Sequence, residues 1–449
     1  MHIAVWQSNL AVRTFGIRRM FFCAFALCVL IGAAVAEEPP QAMPAGLRQI
    51  SSKHLLLTTD LAPNEEIDAL PGYFDQAFDQ WCAYFGVDPA KHANWQARGH
   101  LIRSRERFLA AGLLPADIPL RTGYALGDVL WLLDQTSVYY RRHLLLHEGT
   151  HAFMHTILKG VGPPWYAEGM AELMATHQLD QGKLTLNVFP SHREDVSKWG
   201  RIEIVQTGFA NRKAMTLAKV FAYGPQAHSE NDPYGWCWAA AAFFDGHPRY
   251  QARFRQLPAA VTEPDFNQHL QKVFADDWAQ VTEDWQLFVA NVDYGYDFAR
   301  MEIDRTPGQP LPPTTPTKFK VAADRGWQNT GLAVAAGQKY QLRAEGRYQV
   351  ADVGGKWISE PGGITIRYHH GQPLGLVMAA VRADQPAAGE ASGLIKPIVV
   401  GLGTTLEPKR AGTLYLRIND SAGERADNLG GVDVEVNAAS EDRQAKASN

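Results

Sequence analysis

Cysteine is scarce, with four in 449 residues, and two of these, Cys23 and Cys28, fall within the first 36 positions. The chain therefore lacks the disulfide framework that staples small secreted domains, and it has no Cys-x-x-Cys pair to suggest a redox or zinc-thiolate site. A charge excess of either sign is equally absent. Forty-three Lys and Arg stand against 47 Asp and Glu, a formal net charge of −4, which offers no electrostatic footprint for nucleic acid or an anionic membrane. Internal repeats are missing, and no apolar run reaches the roughly 20 residues of a spanning helix. What remains is an ordinary globular composition, 46% hydrophobic and 20% charged, in a chain long enough for two or three domains.

Arg18 and Arg19 precede an apolar run from Met20 to Ala36 that closes on Ala34-Val35-Ala36. A charged start, apolar middle and small-residue end are the parts of a secretory signal peptide, expected over 1–36. Neither Cys23 nor Cys28 follows the small residue that a lipoprotein cleavage site requires. A secreted or periplasmic protein without stable membrane attachment is therefore expected. Cleavage after Ala36 leaves Cys82 and Cys237. An oxidising compartment permits a disulfide between them; two buried thiols, each flanked by aromatic residues, are the alternative.

The mature chain divides into four stretches. Residues 37–305 read as an α+β domain with a helical C-terminal subdomain: a strand over Lys53–Thr59, a helical stripe (Ile67, Leu70, Phe74, Phe78, Trp81, Phe85), a strand over Gly123–Leu133, a helix over Tyr139–Leu158, and Trp-rich helical pattern through 200–300. Residues 306–318 (TPGQPLPPTTPTK) are dense in Pro and Thr, which disfavours helix and sheet and predicts an extended linker. Over 319–437, alternating runs at Lys339–Ala344, Ile364–Tyr368, Thr413–Ile418 and Val432–Val436 predict an antiparallel β-sandwich. A polar, disordered tail is expected over 438–449.

Chemistry concentrates at His147-Glu148-Gly149-Thr150-His151, an H-E-x-x-H motif inside the helical run HLLLHEGTHAFMH. Histidines at i and i+4 share a helix face with Cβ atoms about 5–6 Å apart, so both rings can converge on one cation. Glu148 then sits beside the metal, free to act on water. Sixteen residues separate His151 from Glu168, and the intervening Lys159-Gly160-Val161-Gly162-Pro163-Pro164 breaks the first helix so that a second can return beside it. His147, His151 and Glu168 make a His2Glu set, the donor pattern of a catalytic zinc site with one open position. Glu172, one turn beyond Glu168, is placed to take the second N–H of a ligating histidine. His143 and His155 lie one turn outside the pair and are not expected as ligands.

HEGTH followed by Trp165-Tyr166-Ala167-Glu168-Gly169 resembles the gluzincin metallopeptidases, the group containing thermolysin-like enzymes and zinc aminopeptidases. Residues 50–290 look more closely like secreted bacterial proteins called peptidase-MA-like, through HLLLTTD, DALPGYFDQAFDQWCAYFG and the HEGTH helix. The resemblance implies a zincin fold and hydrolysis of protein or peptide substrates, with Glu148 as general base. It also implies a transition-state tyrosine at Tyr234, in Asp232-Pro233-Tyr234-Gly235-Trp236, and a substrate-pairing edge strand, for which Leu130–Leu133 is the candidate. The Gly-x-Met-Glu-Asn segment by which aminopeptidases grip a free amino terminus is missing, so endopeptidase action stays open.

Thr413–Asp420 continued by SAGERADNLGGVDVEV, together with Trp327–Gly331 and AAGQKYQLRAEGRYQV, resembles the PA-I-like galactose-binding bacterial lectins. That likeness implies calcium as a second cofactor, held by Asp420, Asp427 and Asn428 with a backbone carbonyl near Val350, and a galactose-containing glycan as a partner. Glu424 stands where those lectins carry threonine. Two other readings remain: a noncatalytic glycan-binding surface protein on a zincin scaffold, and an amidase acting on cell-wall peptide.

Overall fold

The computed structural model describes residues 43–228, 231–312, 316–387 and 389–438. The expected signal segment and the tail beyond Ala438 lie outside them. The first strands, β1 (Arg48–Ser51) and β2 (Leu55–Thr59), pair antiparallel, and α1 (Glu65–Phe85) follows. Asn64 caps α1 by accepting the Ile67 N–H, and Gly86, in the left-handed region, ends it. The apolar stripe read from the sequence is the face α1 buries. Next come β3 (Ala97–Ile102), α2 (Arg105–Ala110), β4 (Gly123–Leu126) and β5 (Val129–Leu133). The sheet runs β1-β2-β3-β5-β4, with β2, β3 and β5 parallel and β4 antiparallel to β5.

The long helix α3 (Val138–Phe153) starts at Ser137, whose side chain accepts the Tyr140 N–H. From His143 to Phe153 every residue except His151 is buried, the mark of a helix enclosed on all sides. Gly149 permits this closeness: a Cβ there would lie 2.6 Å from Phe74 and 2.7 Å from Trp81, rigid rings of α1. A π-turn over Met154–Leu158 and the left-handed Lys159 end the helix. Pro164, at the first helical position where proline is tolerated, starts α4 (Pro164–Ala175).

A hairpin, β6 (His177–Asp180) and β7 (Lys183–Leu186), leads to α5 (Arg201–Ala210), α6 (Leu217–Phe221), α7 (Asn231–Gly246), α8 (Gln251–Phe254), α9 (Phe266–Val273), α10 (Trp278–Asn291) and α11 (Phe298–Met301). Trp199, Trp238, Phe243 and Trp285 join the cluster that contains Phe74, Trp81 and Phe153, so the helical region extends the same core.

The remaining strands are β8 (Gln309–Pro310), β9 (Thr317–Ala322), β10 (Gln328–Val334), β11 (Tyr340–Glu345), β12 (Tyr348–Asp352), β13 (Lys356–Ser359), β14 (Gly362–His369), β15 (Gln372–Arg382), β16 (Ile398–Val399), β17 (Gly403–Leu406), β18 (Gly412–Ile418) and β19 (Gly431–Ala438). One sheet has the order β14-β15-β18-β10-β8, with β16 added on β15, and the other β17-β11-β19-β9. Val377, Leu414 and Leu416 of the first meet Leu342, Val432 and Val434 of the second in one apolar core. This is a β-sandwich following an α+β module.

The two modules meet through buried chemistry along α10. Arg382 donates to both oxygens of Glu283 at 3.0 Å, Ser392 Oγ donates to Glu283 Oε1 at 2.8 Å, and Arg417 donates to Asn291 Oδ1 at 2.9 Å. Leu287 and Ile303 pack with Trp327, Met378 and Tyr415 beside these bonds.

Three expectations need correction, and one open pair of readings is decided. Gly123–Leu133 is a hairpin rather than one strand, because Gly127, with φ 61°, reverses the chain after Leu126. Leu130–Leu133 accordingly belongs to an interior strand, and β4 is the sheet edge. The Pro-rich segment is docked at its start: Gln309 and Pro310 pair in parallel with β10, and the Gly308 N–H donates to Thr413 Oγ1 at 2.8 Å. Proline is compatible with an edge strand, where its missing N–H costs no ladder bond. Cys82 and Cys237 form no disulfide; both are buried thiols, and burial, helped by Asp79 and Asp88, pushes Cys82 up to about 11.

Candidate metal centre

Buried polar side chains require partners, and α3 carries four: His143, His147, Glu148 and Thr150. Thr150 returns its hydroxyl to the Leu146 carbonyl at 2.8 Å. His143, His147 and His151 face α4, which the break at 159–164 brings alongside. His147 Nε2 lies 3.2 Å from His151 Nε2 and 3.2 Å from Glu168 Oε2, and His151 Nε2 lies 3.5 Å from Glu168 Oε1. Zinc–nitrogen bonds of about 2.0–2.1 Å in a tetrahedron place donor atoms about 3.4 Å apart. The two imidazole nitrogens stand at such a separation, each has one oxygen of the Glu168 carboxylate at a similar distance, and the three residues form one of two groups that could hold a metal among the described residues.

Two further observations fit a cation here. Glu168 Oε2 is buried and makes no well-formed hydrogen bond. The facing Nε2 atoms of His147 and His151 can share at most one proton, whereas a cation satisfies both with lone pairs. Burial pushes the Glu168 carboxyl up, but His151, His147 and His228 outweigh it and hold the group well below the carboxylate range.

Glu172 lies one turn beyond Glu168 on α4, against His147. Its Oε1 lies 3.4 Å from His147 Nδ1, which turns Nε2 toward Glu168 and His151. Arg201 grips both oxygens, Nη2 to Oε1 at 2.8 Å and Nε to Oε2 at 3.0 Å, and Trp199 Nε1 donates to Oε2 at 3.1 Å. His143 Nε2 stands 3.3 Å from Oε2 while its Nδ1 lies 3.1 Å from the Ala175 carbonyl. Burial raises this carboxyl, and Arg201 with His143 and His147 reverses that, leaving it well below its usual range. The other candidate group, His143, His147 and Glu172, already holds this guanidinium and has no charge to offer a second ion. Sequence reading missed Arg201 and Trp199, since nothing in Trp199-Gly200-Arg201 distinguishes a buried arginine from a solvated one.

Glu148 is buried, and that burial pushes its carboxyl up despite the opposing charge of His147 and His151. Its side chain crosses the start of the edge strand, so that a Cβ on Gly123 would collide with the Glu148 carboxylate. The obstructing atom is the far end of a flexible side chain. Gly123→Ala is therefore expected to displace Glu148 with little loss of fold: melting temperature within a few degrees of the parent, and turnover down by about 10²-fold, the usual penalty for a misplaced reacting group.

Tyr234, near the start of α7, has its ring 5.8 Å from that of His147, and its hydroxyl donates to the His228 carbonyl at 3.1 Å. Burial, with Glu168, Glu148 and Glu172 nearby, raises this phenol, so it remains a proton donor. Half-exposed His228, absent from the sequence reading, places Nδ1 against Glu168 Oε1. No motif spacing marks it. His155 is exposed at the far end of the stripe.

In the sandwich, Asp420 and Asn428 meet directly, Asn428 Nδ2 donating to Asp420 Oδ2 at 2.7 Å. Asp427 Oδ2 accepts the Asp352 N–H at 2.7 Å, and Gln349 Nε2 reaches the Asp427 carbonyl, which brings β12 and Val350 beside the loop. Asp427 Oδ1 and Asn428 Oδ1 are buried without a hydrogen-bond partner. Glu424 turns away to Arg367.

No protein-family model matches the chain, and no curated protein matches it. Among solved structures it is similar to the EclA N-terminal domain, a PllA-like lectin, with 23% identity and a TM-score of 0.21 over 27% of this chain and 95% of that one. It is also similar to an aminopeptidase N family protein from Idiomarina loihiensis, with 10% identity and a TM-score of 0.36 over 88% and 69% of the two chains. The IMPa metallopeptidase from Pseudomonas aeruginosa matches with 13% identity and a TM-score of 0.18 over 65% and 28%. Metallopeptidases and a lectin thus stand among the neighbours, but at these scores the likeness carries no argument, and the chemistry of the site rests on its own geometry.

Proposed function

We propose that the chain is a zinc-dependent metallopeptidase of the gluzincin type, exported to the periplasm or cell exterior, with His147, His151 and Glu168 as metal ligands. The observation that carries this reading is the convergence of the His147 and His151 Nε2 atoms, 3.2 Å apart, on the Glu168 carboxylate. The chemistry zinc supplies when bound is Lewis acidity toward a substrate carbonyl and a lowered pKa for water.

The chain's own residues supply the rest. Glu148, its proton affinity raised by burial, removes a proton from the attacking water and delivers it to the leaving amine as the C–N bond breaks. Tyr234 carries a phenolic proton to donate to the oxygen that gains charge on the attacked carbon. Glu172 and Arg201 keep His147 in one tautomer. The exposed edge of β4, whose first residue lies against Glu148, offers backbone groups to an extended peptide. Cleavage profiling of a peptide library by mass spectrometry tests the reading: cleavage that stops on chelation and returns with zinc is expected, and cleavage indifferent to chelator contradicts it.

For the sandwich we propose calcium at Asp420, Asp427 and Asn428, because hard oxygen donors, two of them buried and unpartnered, suit that ion. A galactose-containing glycan is its proposed partner. A melting temperature unmoved by saturating calcium would contradict the assignment.

A further inference from the structure

Glu168 brings two oxygens to the candidate metal centre, and their surroundings differ. Oε2 lies 3.2 Å from His147 Nε2 and is buried without a hydrogen-bond partner. Oε1 lies 3.5 Å from His151 Nε2 and also meets Nδ1 of His228. A carboxylate with both oxygens free can bind a cation through one of them or through both. Binding through both fills an extra position on the metal, and a catalytic site has to keep a position for water or substrate.

His228 is held where it can decide between these modes. A 3-10 turn over Pro225–His228 precedes α7 and packs against both α4 and α7. Ala227 anchors the turn: it is buried in the core, and its N–H donates to the Gly224 carbonyl at 3.0 Å. The His228 carbonyl accepts the Tyr234 hydroxyl at 3.1 Å, so the backbone is fixed on both sides of the ring. The side chain itself is 47% exposed. His228 does not belong to the group of His147, His151 and Glu168, whose donor atoms all lie within 4.8 Å of one another. It therefore stands beside a ligand and is not a fourth one. An N–H on an ionised carboxylate makes a charge-assisted hydrogen bond, stronger than a neutral one, and occupies the oxygen that accepts it.

We infer that His228 is a positioning residue for the third ligand: by capping Oε1 it leaves Glu168 one oxygen, Oε2, to offer a cation, and so keeps the last position of the site open. The inference rests on the metal reading given above and adds the residue that sets how Glu168 binds.

The test strips the purified full chain of metal and reloads it with cobalt(II), whose visible absorption is intense in a four-coordinate tetrahedral site and weak once further ligands are added. The parent is compared with His228→Ala and His228→Asn. Asn carries its amide nitrogen as many bonds from the backbone as Nδ1, so it can cap Oε1 in the same way. His228→Ala is expected to take up as much cobalt as the parent, to lose most of the visible absorption, and to turn over substrate about 10- to 100-fold more slowly. His228→Asn is expected to keep the parent's spectrum. With the side chain half-exposed, both melting temperatures should match the parent's, so that a spectral change reports coordination and not folding. A parent spectrum in the Ala variant overturns the inference alone, as does an Asn variant that behaves like Ala. An Ala variant that takes up no cobalt also overturns it, because His228 would then be a ligand. A parent that takes up no cobalt overturns the metal reading and the inference together.

Discussion

Glu148→Gln is expected to lower turnover about 10²- to 10⁴-fold while metal content and melting temperature remain those of the parent. The separation of effects follows from position. Glu148 is buried on α3 next to His147 and His151, yet it does not belong to the group of His147, His151 and Glu168 that could hold a metal. Burial already disfavours its charged form, so a neutral side chain of the same shape fits the site at little cost. What Gln cannot do is accept a proton from water and return it to the leaving amine. The loss should appear in kcat, with KM little changed, because substrate contacts are untouched. Full turnover in this variant would remove Glu148 from the mechanism.

Arg201→Met should produce the largest loss of stability, about 3–5 kcal/mol, because it strands a buried carboxylate that Arg201 holds through two hydrogen bonds. Metal affinity should fall about 10- to 100-fold as well, since Glu172, released from the guanidinium, no longer orients His147 through Nδ1. The double variant Glu172→Gln/Arg201→Met distinguishes the two effects. Removing both charges should restore most of the stability but not the metal affinity, because His147 still lacks its carboxylate. Calorimetric unfolding and metal titration on the three proteins check this; recovery of both properties in the double variant would mean that Glu172 serves only the fold.

The parts legible in the sequence are those whose signal is local. His147 and His151 are four apart on a helix, Glu168 follows a Gly/Pro break that forces a return, and the stripe from Ile67 to Phe85 has helical period; each sits where that pattern put it. The alternating runs ending in Thr413–Ile418 and Val432–Val436 are strands for the same reason. Illegible parts depend on contacts distant in sequence. Arg201 meets Glu172 across 29 residues and His228 meets Glu168 across 60, and no periodicity announces either. The reversal at Gly127 was hidden inside an apolar run in which the glycine and aspartate of a two-residue turn could pass for strand. The Pro-rich segment misled differently: proline's missing N–H forbids an interior strand, but the sheet had an edge to offer.

The central claim is that two imidazoles and one carboxylate grip a single cation. Elemental analysis of the purified chain beside its Glu168→Ala variant tests it most directly. One zinc per chain in the parent and essentially none in the variant is the predicted result; a parent that binds no zinc, or a variant that keeps it, would contradict the account.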